Sequence, residues 1–465
     1  MLKHFRESLS CRFLLIALLL VFVPNIIFLL LAWYTHTARP VINVDYIAAI
    51  LLLIAPFSWA QLVGVFILWI AIIFDALMMV VQLFPFMDLD GAINLLPFIL
   101  SAPFIYQLFM LVLCIYILAV PFLLIYMGKK TRFYPVLVIS AFIIMAMGLL
   151  YGEKYYSHDN DDSLFARNNF YYVHSQSGLY YTVQNVDFLV ANNSIPVFSP
   201  LKYERASGHL NQPFSSKILF IVNESWGQPK DPALQQDILH GLLAQRDNFE
   251  VWQEGHFPFI GATVQGELRE LCATNVYGYA LKNSPATEFV NCLPIKLKGQ
   301  GYATIALHGA EGDMYDRTSW YPKAGFARFI AREQLDGKPR CHSFDGVCDS
   351  ALFDVVKTAF ASHPKIFFYW MTLTTHIDYS EKDIFNHRLQ CEKYGVDTNA
   401  SLCRNFILQT QFFDGLAELV KSPEMKGVEV IVVGDHPPPA INLSEPYAYL
   451  YKGGEVSWIH FKVKE

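Results

Sequence analysis

Hydrophobic residues are concentrated in the first third of the chain, before residue 152. Five largely apolar stretches occur there, at residues 13–33, 44–59, 61–84, 104–127 and 133–151. A helix needs about 20 apolar residues to cross a bilayer. The pattern therefore predicts an α-helical transmembrane bundle of about five spans over residues 1–151. The first stretch is too long for a signal-peptide core, so we interpret it as a retained anchor.

The distribution of basic residues predicts the orientation of these spans. Lys3, Arg6 and Arg12 precede the first span, and a second group lies between the fourth and fifth spans, at Lys129, Lys130 and Arg132. With five spans, both groups lie on one side, which the positive-inside rule places in the cytoplasm. The part of the chain after residue 151 is then extracytoplasmic.

Two further features of this region are Asp75 and the segment of residues 86–101. Asp75, inside the third stretch, is either a functional intramembrane carboxylate or a carboxylate satisfied within the helix bundle. Residues 86–101, with Asp88 and Asp90 near the start, have the pattern of an interfacial helix on the outer surface.

Beyond residue 152 the pattern changes twice. Residues 152–216 form a polar connector with an acidic run at 158–162, and residues 217–465 show strands alternating with helices. Strands are predicted at residues 218–222, 302–307, 365–373 and 428–433; helices are predicted from Asp231-Pro232 onward and at residues 350–361 and 404–420. This alternation predicts one α/β domain with a mostly parallel sheet.

Charge and cysteine content narrow the possible functions. The net charge of −6 and the absence of a basic stripe argue against a nucleic-acid partner. Six of the eight cysteines lie in the outer part of the chain, where an oxidising compartment permits disulfides. Six cysteines allow fifteen connectivities; the pairings favoured by position are Cys272–Cys292, Cys341–Cys348 and Cys391–Cys403.

Polar side chains follow one predicted strand after another. Glu224 follows residues 218–222, and the others are His308 after residues 304–307, Thr375-His376 after residues 367–374, and Asp435-His436 after residues 430–434. Thr263 lies where a helix is predicted to begin, between Gly261 and Gly266. Each residue alone is compatible with a surface or capping role. Because ligands gather at the carboxyl edge of an open α/β sheet, their coincidence predicts a metal- and phosphate-binding site there.

The motifs NESWG, GATVQGE, LHGAEGDMYDR, TLTTH and VVGDH resemble the lipoteichoic acid synthase-like and phosphoethanolamine transferase-like branches of the alkaline phosphatase (sulfatase) superfamily. The resemblance implies a membrane bundle followed by an extracytoplasmic alkaline phosphatase-like α/β domain. It also implies a metal site formed by Glu224, Thr263, Asp435 and His436, with Thr263 as the nucleophile. The substrate-binding residues that it implies are His308, Tyr315, Arg317, His376 and Glu267.

The chain departs from the pattern of these families at two places. Tyr315 and Asp316 stand where the family usually has Trp and an amide, and Pro437-Pro438-Pro439 follow His436. A formylglycine sulfatase is disfavoured, because the nearest approach to its Cys-x-Pro-x-Arg motif, at residues 292–296, has Lys296 in place of the arginine.

Elementary chemistry agrees with this resemblance. A threonine hydroxyl is a poor nucleophile until a cation or base activates it, and two carboxylates, an imidazole and a hydroxyl oxygen suit one Zn²⁺ or Mn²⁺ ion. We expect a phosphotransferase that takes the head group of phosphatidylethanolamine or phosphatidylglycerol onto Thr263 and passes it to a glycan or lipopolysaccharide acceptor. A monomer in a bacterial inner membrane, with a periplasmic catalytic domain, fits this expectation.

Two alternatives stay open at this point. The same site with water as the acceptor would make the protein a membrane-anchored phosphodiesterase or phosphatase. A non-catalytic lipid-sensing protein on the same fold is disfavoured, because all four expected metal ligands are present. Asn223-Glu224-Ser225 also matches an N-glycosylation acceptor; a glycan there would block the metal site, which favours a bacterial membrane.

Overall fold

The computed structural model describes residues 10–37, 39–84, 96–102, 104–151, 173–178, 180 and 196–465. The chain packs as two compact units. One comprises Met1–Leu89 and Ile105–Ala191, and the other comprises Asp90–Phe104 and Asn192–Glu465. The acidic run at 158–162, Asp88 and Asp90 lie outside the described residues.

The first unit contains a helix at each of the five predicted positions: α1 (Cys11–Thr35), α2 (Val44–Leu53), α3 (Ser58–Leu83), α4 (Phe104–Gly128) and α5 (Phe133–Tyr151). Three of them, over Cys11–Thr35, Ser58–Leu83 and Gln107–Gly128, are long and apolar enough to cross a membrane. Three of the five predicted spans are therefore confirmed by length among the described residues, whereas α2 and the described part of α5 are shorter. At about 1.5 Å per residue, the ten residues of α2 cover about 15 Å, half of a bilayer core.

The start of α1, which includes Arg12, lies against the α4–α5 loop, which includes Arg132. The Thr131 hydroxyl, after α4, donates to the Phe13 carbonyl at 3.1 Å, and the Arg132 guanidinium carbon lies 5.3 Å from the centre of the Phe13 ring. The start of α1 and the α4–α5 loop thus lie at the same end of this unit, as the positive-inside argument requires.

Asp75 on α3 lies in a buried polar cluster. Its carboxylate accepts two hydrogen bonds from Arg39, at 3.0 and 2.6 Å, one from the Tyr46 hydroxyl at 2.7 Å and one from Gln176 Nε2 at 2.8 Å. A two-stranded parallel pair, β1 (Ile42–Asn43) with β2 (Val173–His174), adjoins this cluster. Of the two alternatives for Asp75, the structure therefore favours the satisfied carboxylate.

A seven-stranded sheet forms the centre of the second unit. Its strands are β4 (Lys217–Asn223), β5 (Phe249–Phe257), β7 (Ala303–His308), β8 (Arg328–Ile330), β9 (Ile366–Met371), β10 (Glu429–Gly434) and β11 (Val456–Val463); β3 (Val197–Pro200) and β6 (Thr274–Tyr277) form a separate antiparallel pair. The order in the sheet is β5-β11-β10-β4-β9-β7-β8. The five strands from β10 to β8 pair in parallel, whereas β11 is antiparallel to both neighbours.

The mostly parallel α/β domain is thus confirmed, with three strands that the sequence analysis did not predict. Strands β4, β7, β9 and β10 match the predicted ones. The short edge strand β8 and the antiparallel strands β5 and β11 were missed. In β5, five of nine residues from Phe249 to Phe257 are polar or glycine, and so the apolar run that marks a buried strand is absent.

Helices cover both faces of this sheet: α6 (Pro232–Ile238), α7 (His240–Leu243), α8 (Thr263–Cys272), α9 (Leu293–Gly299), α10 (Arg317–Lys323), α11 (Phe353–Ser362), α12 (Ser401–Leu419) and α13 (Ser444–Tyr449). Asp231 caps α6 by accepting from Ala233 N, with Pro232 at the first helical position, as predicted. Trp226 is buried against Phe413 of α12, with ring centres 4.7 Å apart.

Disulfides join the three cysteine pairs favoured by position: Cys272–Cys292, Cys341–Cys348 and Cys391–Cys403. The first of these ties the end of α8 to the residue before α9. Part of the predicted connector also packs into this unit, since the Glu270 carboxylate accepts from the backbone N–H groups of Ala206 and Ser207.

Candidate active site

The central strands β4 and β10 carry two carboxylates to the same edge of the sheet. Asn223 and Gly434, the last residues of these strands, are register partners. Glu224 and Asp435 follow them directly, and both side chains are buried. Because parallel neighbours end at the same edge, their adjacent acidic residues lie side by side at the carboxyl edge of the sheet.

Thr263 and His436 complete this group. Thr263 Oγ1 lies 3.4 Å from Glu224 Oε2 and 3.5 Å from His436 Nε2. His436 Nε2 lies 3.6 Å from Glu224 Oε1 and 3.2 Å from Asp435 Oδ2. Four side chains that span more than 200 residues of sequence therefore meet at one point.

The buried carboxylates of Glu224 and Asp435 would be stabilised by a cation between them. Burial raises the pKa of Glu224 well above its usual range, and the adjacent Asp435 carboxylate raises it further. Asp435 Oδ2 accepts no hydrogen bond from the residues that the structure describes. The His436 Nδ1–H donates to the Pro437 carbonyl at 2.9 Å, which leaves the Nε2 lone pair directed toward the carboxylates.

A divalent metal ion fits these donors. One ligand atom each from Glu224, Asp435 and His436 lie within 4.8 Å of one another, and the Thr263 hydroxyl adjoins them. Two carboxylate oxygens, one imidazole nitrogen and one hydroxyl oxygen form a four-donor set of the type that Zn²⁺ accepts, and Mn²⁺ accepts the same donors.

The local structure at Thr263 favours negative charge on its oxygen. Thr263 is the first residue of α8, and the Gln265 side chain accepts from the Ala262 N–H at 2.7 Å just before the helix. The N-terminus of a ten-residue helix carries a partial positive charge. A phosphoryl group on Thr263 would therefore lie at a favourable end of the helix dipole.

Side chains of α12 and of the segment after β9 hold the Glu224 loop. Gln409 of α12 donates to the carbonyls of Glu224 and Ser225, at 2.9 and 3.2 Å, and the Thr375 hydroxyl donates to the Glu224 carbonyl at 2.6 Å. The Thr372 hydroxyl accepts from the Glu224 N–H at 2.8 Å. These contacts fix the backbone on either side of the carboxylate.

Ser225 and Arg269 were also missed by the sequence analysis. Ser225 has a left-handed backbone (φ 54°), which directs its N–H to Asp435 Oδ1 at 2.7 Å. The fully buried Arg269 of α8 donates to the carbonyls of Gly434 and Asp435, at 2.7 and 3.0 Å. The only available signal was the charged run Glu267–Glu270 in an otherwise buried helix, a pattern that requires internal partners.

Two histidines at neighbouring strand ends are held as neutral bases. His308 Nδ1 bonds to the Met371 carbonyl at 3.0 Å, and His376 Nδ1 bonds to the Ile377 carbonyl. A carbonyl can only accept, so each Nδ1 carries the proton and each Nε2 carries a lone pair. Burial lowers the pKa of His308 well below its usual value, with Arg317 adding to this effect, and burial lowers the pKa of His376 to about 4.

Glu267 is not placed to contact a substrate, contrary to the expectation from the resemblance. Its side chain is fully buried, and it accepts from Arg317 Nε at 2.9 Å, from Arg317 Nη2 at 2.6 Å and from the hydroxyls of Tyr321 and Tyr369. Burial alone would lower the pKa of Arg317, but the Glu267 carboxylate raises it above its usual value. Glu267 can therefore act on the site only through Arg317.

Tyr315 and Asp316, the two departures from the family pattern, form a left-handed turn before Arg317. Their φ angles are 54° and 55°, a conformation that is costly for residues other than glycine. The Tyr315 ring centre lies 5.3 Å from the Arg317 guanidinium carbon, and Asp316 Oδ2 accepts from the Lys282 N–H at 3.2 Å. Tyr315 and Asp316, although they differ from the family pattern, thus fit beside Arg317.

Trp226, Trp320 and Tyr321 lie near the residues of the candidate site in sequence. The structure buries all three side chains, with at most 1% exposed. They belong to the packed core and do not line a substrate cleft. The segment Pro437–Pro439, which follows His436, is held by the Tyr379 hydroxyl, which donates to the Pro439 carbonyl at 2.7 Å.

Comparison with known families finds one match, over part of the chain. Residues 269–454 match the sulfatase family, a span that contains His308, Arg317, His376, Asp435 and His436. No curated protein sequence matches the chain.

Several solved structures are similar in part. A lipoteichoic acid synthase from Listeria monocytogenes is 16% identical with a TM-score of 0.41, and the match covers 53% of this chain and 65% of that one. The phosphoglycerol transferase GacH of Streptococcus pyogenes is 14% identical (TM-score 0.39; 54% and 68% covered). The periplasmic domain of EptC from Escherichia coli, in complex with zinc, is 14% identical (TM-score 0.36; 57% and 77% covered).

The chain thus spans about two thirds of the length of the first of these structures. The α/β unit has the fold of the sulfatase and alkaline phosphatase superfamily of enzymes, and it follows a region of apolar helices, three of them long enough to span a membrane. A buried candidate metal site lies at the carboxyl edge of its sheet.

Proposed function

We propose that this protein is a metal-dependent transferase that moves the phosphorylated head group of a membrane phospholipid, through Thr263, to a hydroxyl group of a cell-envelope glycan. The observation that carries this proposal is the position of Thr263 Oγ1, 3.4 Å from Glu224 and 3.5 Å from His436. The head group is phosphoethanolamine or phosphoglycerol. The apolar helices keep the enzyme in the membrane that contains its donor.

Glu224, Asp435, His436 and Thr263 are the residues that would hold the metal. When bound, a divalent cation would lower the pKa of the Thr263 hydroxyl and offset negative charge on the phosphoryl group. Asp435 is oriented for this task, because its Oδ1 accepts from the N–H groups of Ser225 and His436 and its Oδ2 is left for the ion.

The reaction proceeds in two balanced halves. Thr263 Oγ1 forms a bond to phosphorus while the bond from phosphorus to the diacylglycerol oxygen breaks, and the threonine proton ends on diacylglycerol. In the second half, the acceptor oxygen forms a bond to phosphorus while the bond from phosphorus to Thr263 Oγ1 breaks, and the acceptor proton ends on Thr263 Oγ1. His308 and His376 each carry an unprotonated Nε2 that is weakly basic, because burial lowers both pKa values, and so either can accept the proton and return it readily in each half.

Arg317 is the residue that would bind the nonbridging phosphoryl oxygens. Glu267 fixes Nε and one N–H of Nη2, and the Met314 carbonyl accepts from Nη1 at 3.3 Å, which leaves one N–H each of Nη1 and Nη2 for a ligand. A planar guanidinium held in this way binds phosphate with two parallel hydrogen bonds.

Mass spectrometry of the intact protein tests the covalent step. Wild-type protein supplied with Zn²⁺ or Mn²⁺ and either phospholipid should gain the mass of one phosphorylated head group. Thr263→Ser keeps a hydroxyl and should form the adduct, whereas Thr263→Ala should not. An unmodified wild-type protein after incubation with both phospholipids would contradict the proposal.

Diacylglycerol release separates transfer from hydrolysis. If a glycan hydroxyl is the acceptor, sustained release requires added glycan. If water is the acceptor, as in a phosphodiesterase, release continues without it, and the transferase assignment fails.

A further inference from the structure

A short segment next to a membrane-crossing helix belongs to the catalytic unit. The turn Leu96–Ser101 lies, in the chain, between α3 and α4, yet it packs within the α/β unit. This turn is the described part of the segment for which the sequence predicts an interfacial helix. The proposed function does not use it.

The turn covers an apolar cluster beneath the candidate site. Phe98 and Tyr315 both pack against this cluster, whose buried members are Ala310, Met314, Phe344 and Leu373. Apolar side chains that close such a cluster stabilise it through the area that they remove from water. Phe98 is therefore part of the packing on which the neighbouring loops rest.

Two of these loops carry substrate-side residues. Met314 immediately precedes the left-handed turn of Tyr315 and Asp316, which leads to Arg317. The Phe344 ring centre lies 4.6 Å from that of His376. A costly backbone conformation persists only where its surroundings determine it, and the cluster closed by Phe98 supplies such surroundings on both sides of the phosphoryl-binding groups.

On the Leu96–Ser101 turn, the side chains of Leu96 and Leu100 are apolar and exposed, unlike that of Phe98, which packs against the cluster. Leu96 is 49% exposed and Leu100 is 81% exposed, and Phe104, at the start of α4, is 75% exposed. Leu100 and Phe104 are four residues apart, so they are separated by at most about 14 Å of extended chain. The segment Gln107–Gly128 that follows is long and apolar enough to cross a membrane. Chain length alone therefore keeps Leu100 close to the bilayer surface.

We infer that the Leu96–Ser101 turn contacts the lipid bilayer through Leu96 and Leu100, and that Phe98 transmits this contact to the loops of Arg317 and His376. The occupant of the exposed face is the bilayer of the membrane that contains the donor lipid. Phe98 is a positioning residue in this arrangement. The inference about positioning rests on the proposed function, whereas the membrane contact does not.

Fluorescence in nanodiscs tests the membrane contact without any enzymatic readout. The full-length protein is first cleared of its two free cysteines by Cys11→Ser and Cys114→Ser. A fluorophore on Leu100→Cys should be quenched by lipids with brominated acyl chains, and one on Lys357→Cys, on the exposed surface of α11, should not. Equal quenching at the two positions overturns the inference.

Kinetics with two forms of the donor test the positioning role. Leu100→Asp should lower kcat/KM about tenfold for a long-chain phospholipid in vesicles and leave a short-chain, water-soluble donor unaffected, because only the vesicle requires the contact. Phe385→Asp is the matched control, since Phe385 is 67% exposed elsewhere in the same unit; it should match wild type with both donors.

Phe98→Ala should lower kcat for both donors, and Phe98→Leu should restore most of it. If wild type is active and Leu100→Asp behaves like Phe385→Asp, this inference fails and the proposed function stands. If wild type releases diacylglycerol from no phospholipid, the proposed function fails, and the quenching result still decides the membrane contact.

Discussion

Glu267 and Arg317 form a fully buried ion pair in which Nε and Nη2 of the arginine both donate to Glu267 Oε1, at 2.9 and 2.6 Å. The glutamate lies on α8, four residues after Thr263, and the arginine begins α10. The pair therefore joins the helix that carries the proposed nucleophile to the residue proposed to bind the phosphoryl oxygens.

Glu267→Ala should destabilise the protein strongly, because it leaves a buried guanidinium group without its partner. Removing one member of a buried pair costs about 3–5 kcal/mol of unfolding free energy. Denaturant unfolding of the detergent-solubilised protein measures this loss. Glu418→Ala is the control, since Glu418 is 73% exposed, and it should cost less than about 1 kcal/mol. Equal effects of the two substitutions would contradict the structural role of Glu267.

Gly266→Ala should separate Thr263 from the carboxylates. A Cβ atom at residue 266 would lie 2.5 Å from the Asp435 carbonyl oxygen and 2.9 Å from Asp435 Cα, so α8 must move away. We expect zinc affinity to fall about tenfold or more, since small displacements of ligands weaken metal sites strongly. Competition with a chromophoric chelator measures the affinity.

Gly299→Ala is the matched control for this substitution, because a Cβ atom at residue 299 meets nothing within 4 Å. Its zinc affinity should equal that of wild type. A Gly266→Ala protein with unchanged affinity would show that α8 does not depend on this close approach.

Glu224→Gln should have opposite effects with and without metal. In metal-free protein it removes one of two buried carboxylates that repel each other, and its Oε1 can still accept from the Ser225 hydroxyl, as Glu224 does at 2.8 Å. The metal-free variant should therefore melt above metal-free wild type, by about 2–4 °C for each kcal/mol relieved.

Adding Zn²⁺ or Mn²⁺ should raise the Tm of wild type and leave the Tm of Glu224→Gln nearly unchanged. Thermal unfolding with and without a chelator measures both effects. A metal-free variant that is less stable than metal-free wild type would show that the carboxylate pair is not under electrostatic stress.

His376 should make stability depend on pH. Burial lowers the pKa of His376 to about 4, whereas an unfolded histidine has a pKa of about 6.5. Between about pH 4 and about pH 6.5, the unfolded state therefore binds more protons than the native state. Stability contributed by neutral His376 is thus present above about pH 6.5 and is lost as pH falls toward 4, with a slope of up to about 1.4 kcal/mol per pH unit.

Unfolding free energies of wild type and His376→Gln, measured from pH 7 to pH 4, check this prediction. The variant should lose less stability on acidification than wild type. His240→Gln, at an exposed position of α7, should follow the wild-type curve. Parallel curves for wild type and His376→Gln would contradict the assignment of a neutral, buried imidazole.

The sequence alone was sufficient for features that depend on local pattern. Apolar runs located the central parallel strands, the positions of the five apolar helices and the general architecture. The polar residues after those runs located Glu224, His308, His376 and Asp435, because a parallel sheet brings strand ends to one edge.

Only the tertiary structure decided features that depend on partners distant in the chain. The contacts of Asp75 with Arg39 and Gln176, the burial of Glu267 against Arg317, and the support of Glu224 by Gln409 each join side chains far apart in sequence. Strand β5 has no apolar run of its own and is held by pairing with β11. A linear pattern records what each residue prefers, whereas the pairing of buried charges and edge strands is determined by which residues the fold brings together.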